Sequence, residues 1–169
     1  DAAGFRAVAT ASPGGSFARD FMDLTFAMES GRGLDLFTRF EGPVTVALTG
    51  AVPPSAPRDL GVLLGRLQRE AGIEISHATA AATITVEFTS RAELRRLAPT
   101  AACFVVPNVS TLAEYRRLRG QDSVDWSRVT RRERAAIFIP TDTSPQEDGW
   151  RRGGGALRVQ LCAVLTGQG

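Results

Sequence analysis

Residues able to do chemistry are sparse in this 169-residue chain. It holds one histidine, His77, in Ile75-Ser76-His77-Ala78 near the end of an expected strand. A hydrolytic zinc site of the HExxH type needs two imidazoles one helical turn apart with a glutamate beside the metal-bound water, so that motif is absent. A Ser-His-Asp hydrolase would have to take His77 as its base, and no GxSxG turn presents a serine to it. His77 reads as a structural or surface histidine, and a hydrolase centred on it is the weakest functional reading. Phosphate-loop and dinucleotide fingerprints are missing too; Gly153 to Gly155 lack the preceding strand and the lysine of a phosphate loop. Cys103 and Cys162 show no CxxC spacing, which argues against a metal or redox pair. Cys103, in the apolar run Ala101 to Val106, reads as a buried thiol, with a disulfide to Cys162 as the alternative in an exported protein.

Two polar spots remain as binding candidates. Arg39-Phe40-Glu41-Gly42 precedes a strand; Arg39 and Glu41 read first as a local ion pair and second as ligand contacts. Pro107-Asn108-Val109 ends another strand; Asn108 is either a turn former or a residue that orients a substrate. The basic run Arg128 to Arg134 reads as a solvated helix face. The richest stretch is Arg134 to Glu147, RAAIFIPTDTSPQE. Ala135 to Ile139 reads as a short buried strand, and Ser144, Pro145 and Glu147 sit at the cap, first-turn and capping-box positions of a helix. The next residues, Asp148 to Gly155, contain three consecutive glycines, each costing roughly 1 kcal/mol against alanine inside a helix.

The elements that must position these residues alternate along the chain. Ser16 caps a predicted helix over Phe17 to Met28, with Phe17, Phe21, Leu24 and Met28 on one face. Pro43 to Thr49 alternates apolar and polar residues and predicts a strand. A helix from about Pro57 to Ala71 has Leu60, Leu63, Leu64 and Leu67 as its stripe and Gly72 as C-cap. Ile73 to Ala78, Ala82 to Thr89 and Cys103 to Val106 predict strands. Ser90 caps a short helix, Arg91 to Leu97, and Ser110 caps another, Thr111 to Arg119. Asp125 or Ser127 begins a further helical turn. The fold class is α+β: a mixed, largely antiparallel sheet of about five strands with helices packed on it.

Composition adds limits. The 43% apolar content suits one compact domain, and no run approaches the ~18 apolar residues that span a bilayer. The formal charge is +2, and every basic residue is arginine. The arginines are spread among 18 acids, which points to a GC-rich genome rather than to a nucleic-acid partner. The domain reading is a loose arm over 1–15, one α+β domain over 16–147 and an atypical Gly/Arg-rich tail over 148–169. The chain starts at Asp1, so a removed signal peptide would leave no trace in it.

Four segments carry a family resemblance: FMDLTFAMESGR (Phe21 to Arg32), the stretch from Phe37 through Arg39, Glu41 and Pro43, ACFVVPNVSTLAEYRR (Ala102 to Arg117) and RAAIFIPTDTSPQE. In this order they resemble the bacterial domain of unknown function 2927 family, over roughly residues 16 to 147. The resemblance implies an exported protein of Gram-negative bacteria, periplasmic or secreted, with a zincin-like N-terminal part. Family members are suspected zinc metallopeptidases whose SPQE segment leads into a helix carrying a Cys and a His-Glu-Glu element. This chain has no histidine after Glu147, so no metal or catalytic residue carries over and no cofactor is expected in it. The expectation is a truncated, frame-shifted or C-terminally altered member, probed by reading the gene in all frames. It would be catalytically inactive as given, with a non-enzymatic module binding a peptide or envelope protein along an open sheet edge as the alternative.

Overall fold

In a computed structural model, the described residues are 33–34, 38–101 and 103–142. The predicted helix over Phe17 to Met28, the arm, the capped segment at Ser144, the tail and Cys162 lie outside them. The order of elements is β1 (Val44–Gly50), α1 (Ala56–Ala71), β2 (Ile75–His77), β3 (Ile84–Thr89), α2 (Arg91–Arg95), β4 (Phe104–Pro107), α3 (Leu112–Leu118), a 3₁₀ turn (Asp122–Val124) and β5 (Ala135–Pro140). The five strands form one mixed sheet in the order β2-β1-β3-β5-β4 with helices packed on it, an α+β arrangement.

The balance of strand directions differs from the expectation. The pairs β1–β2, β1–β3 and β3–β5 are parallel, and only β4–β5 is antiparallel. The reason lies at β1. Val46 is level with His77 on one side and with Ile84 on the other. Strand β2 thus ends where β3 begins, and residues 78–83, Ala-Thr-Ala-Ala-Ala-Thr, carry the chain past β1. Two strands consecutive in sequence are thus separated by a third, so they do not form an antiparallel pair.

Alternation along the strands divides the core in two. Val44, Val46, Ile84, Val86, Phe88, Val105, Ala135, Ile137 and Ile139 face one side with Leu60, Leu63 and Leu64 of α1. Cys103, half-buried, packs against this same cluster. Phe104, Val106, Ala136 and Phe138 face the other, with Leu94 of α2 and Leu112 of α3. Helix α1 follows its sequence closely: Pro57 lies in the first turn, and Gly72 ends it in left-handed conformation at φ 64°. Ser90 caps α2 by accepting the Glu93 N–H at 3.2 Å. The cap of α3 is Thr111, not Ser110: its hydroxyl accepts the Glu114 N–H at 3.1 Å. The Glu114 carboxylate in turn accepts the N–H of Ser110, the residue before the cap, at 2.8 Å, so Thr111 and Glu114 together fix the start of α3.

The stretch before β5 departs most from its sequence reading. The 3₁₀ turn at Asp122–Val124 precedes the expected helical turn, which begins at Asp125: its carbonyl accepts the Arg128 and Val129 N–H groups at 3.0 and 2.9 Å. The Asp125 carboxylate accepts both the backbone N–H and the hydroxyl of Ser127, at 2.9 and 2.7 Å, and so caps this single turn, which goes no further. Arg128 to Arg134 is not a solvated helix face. Arg131 is exposed, Arg132 is buried, and Arg134 pairs with Glu114 at 2.6 Å.

Candidate functional site

Chain segments preceding three parallel strands converge on a cavity of about 590 Å³. Its lining comes from Thr38 to Glu41 and Pro43 before β1, Thr83 before β3, and Thr130 to Glu133 before β5. Arg39 and Glu41 are therefore brought together in one concave site. Both are exposed, and neither has an ion-pair or hydrogen-bond partner among the described residues, so the local ion pair is not formed. Phe40 between them turns inward and packs against the larger core.

Arg132 holds this wall in place. It is only 4% exposed, and it donates from Nη2 to the Thr38 carbonyl at 2.7 Å. Its guanidinium lies 4.4 Å from the Phe40 ring centroid and 5.7 Å from that of Trp126. Arginine suits such a position because its flat cation stacks on aromatic faces. Burial lowers its pKa to about 10, which leaves it protonated at neutral pH. Trp126 is anchored by its indole N–H, which donates to the Val105 carbonyl at 2.9 Å. Sequence reading missed Arg132 and Trp126, because Phe40, Trp126 and Arg132 come from separate segments and no spacing links them.

Asn108 shapes the opposite wall rather than facing a ligand. Its backbone is left-handed at φ 58°, a conformation asparagine tolerates better than most residues. Its side-chain amide donates to the carbonyls of Ser123 and Arg131, at 3.0 and 2.8 Å. Its amide oxygen accepts the Glu133 N–H at 3.0 Å, and its own N–H donates to the Arg134 carbonyl at 2.8 Å. These bonds bracket Arg132. Asn108 is thus a turn former that also positions the segment lining the cavity.

The other chemistry-bearing residues do not join this site. His77 is exposed on β2 at the edge of the sheet, with β1 and β3 between it and β5. Among the described residues no group of three or more His, Cys, Asp or Glu is placed to hold a metal ion. No helix among them is long and apolar enough to cross a membrane.

Each outer strand of the sheet has an outward backbone carbonyl engaged by a side chain of the fold. Asn108 and Arg134 share a backbone bond, so alternation turns Val105 and Pro107 of β4 outward. Trp126 occupies the Val105 carbonyl, and proline has no N–H to offer. On β2, the Gln68 side chain donates to the Ile75 carbonyl at 2.5 Å.

A family model described as "Protein of unknown function (DUF2927)" matches residues 15–149, well over half of the chain, and the chain belongs to that family. No curated protein and no solved structure matches the chain.

Proposed function

We propose that this member of the DUF2927 family is an exported, metallopeptidase-related scaffold that is catalytically silent as the sequence stands. The observation that carries the reading is the course of β5. This strand is fully buried along its length and ends at Pro140, directly before the Thr143 to Glu147 segment. The family resemblance implies that this segment leads into a helix carrying a His-Glu-Glu element. Here the residues after Glu147 include no histidine, and His77 lies across the sheet from β5.

The test is metal analysis of the purified 169-residue chain together with incubation against a peptide library. The expected result is no stoichiometric zinc and no cleavage. One tightly bound zinc per chain, with cleavage that a chelator stops, overturns the reading. Export is tested separately by fractionating cells that express the natural gene; recovery in the cytoplasm alone removes that part.

A further inference from the structure

The cavity before β1, β3 and β5 falls within the size range of small-molecule sites. Its charges are of both signs. Phe40 is anchored in the core, and Arg39 and Glu41 on either side of it both line the cavity. In extended chain their Cα atoms would lie roughly 7 Å apart, at about 3.3 Å per residue. On the facing wall Arg131 and Glu133 pair at 3.3 Å, but they are 82% and 67% exposed, so water screens the pair. Arg132 is committed to Thr38 and the two rings and serves as scaffold.

This pattern selects among ligands by charge. A polyanion gains from Arg39 and Arg131 but meets the carboxylates of Glu41 and Glu133. A simple cation meets the reverse conflict. A molecule carrying one carboxylate and one ammonium group satisfies both signs. We propose that the cavity binds such a zwitterion, a free amino acid or a short peptide with free termini. Its carboxylate sits on the planar donor fork of Arg39, and its ammonium group on Glu41. This assignment does not depend on the scaffold's being catalytically silent.

The test is a ¹H–¹⁵N NMR titration of the whole chain with glycyl-glycine and glycine, and with acetate, methylammonium and inorganic phosphate as single-charge probes. Saturable shifts confined to residues 38–43 and 130–133, larger for the zwitterions than for any single-charge probe, are expected. Arg39→Gln and Glu41→Gln should each weaken zwitterion binding about tenfold, the loss of one charge-assisted hydrogen bond. Both side chains are exposed, so unchanged melting curves confirm that the variants fold. Equal or stronger binding of acetate or phosphate overturns the proposal, as does a Glu41→Gln variant that binds normally. Absence of saturable shifts with either zwitterion also overturns it.

Discussion

At the carboxyl ends of the parallel strands, the polar groups described are turned inward on the fold itself. Ala51 donates to the Phe88 carbonyl at 2.9 Å, Thr141 to the Thr89 carbonyl at 2.9 Å, and the Arg91 N–H to Asp142 at 2.5 Å. Gly50 approaches so closely that a Cβ there would lie 2.1 Å from the Phe88 oxygen. At the amino ends the backbone is also well tied, by Asn108 and by the Thr45–Thr83 clasp, yet Arg39 and Glu41 remain uncommitted around a cavity. Open parallel sheets commonly place ligands beyond the carboxyl ends of their strands. In the described part of this chain the concave, charged site is at the other end. The contrast separates two roles: closure holds the fold together where β1, β3 and β5 finish, and binding capacity collects where they start.

Substitutions at the two ends test that separation. Gly50→Ala should have the largest effect, about 3 kcal/mol or more, because it adds left-handed strain at φ 76° to a clash with backbone. Urea unfolding measures it; a loss under about 1 kcal/mol would mean that the approach to Phe88 relaxes easily. Asn108→Ala sharpens the comparison, since it sits at the binding end but acts structurally. Losing three side-chain hydrogen bonds should cost about 2 kcal/mol and shift the amide resonances of 131–133. Ser90→Ala removes the cap of α2 at the closed end and should cost about 1 kcal/mol in the same denaturation assay. The double variant Arg39→Gln/Glu41→Gln should change stability by less than about 0.5 kcal/mol, because both side chains are exposed and unpaired among the described residues. A marked fall in its melting temperature would show that these charges stabilise the fold, and the division between the two ends would fail.

Much of the fold was legible because local signals were strong. Leu60, Leu63 and Leu64 with Gly72 define α1, and alternation through Ile84, Val86 and Phe88 defines β3. Ser90 and Glu93 mark the start of α2 by chemistry that needs no distant partner. Errors arose where two local readings competed or where a distant partner decided. Thr111 displaced Ser110 as cap because Glu114 lies three residues beyond Thr111. The run Arg128 to Arg134 looked like a charged helix face, but Arg132 finds two aromatic rings and Arg134 finds Glu114. The candidate site was half legible. Arg39 and Glu41 stood out as a charged pair before a strand, and Asn108 stood out first as a turn former, the role its left-handed backbone and internal hydrogen bonds give it.

Taken alone, the amino-acid sequence determines the family, the presence of five strands and three described helices, and the lack of a second histidine. Residue identity and short-range periodicity suffice for these. Tertiary structure alone decided that β1 lies between β2 and β3, that the sheet is chiefly parallel, and that Arg39, Glu41 and Arg131 to Glu133 share one cavity. The physical reason is range. Caps, stripes and alternation act over a few residues, whereas strand order and the meeting of residues some 90 positions apart depend on how whole faces are buried against one another.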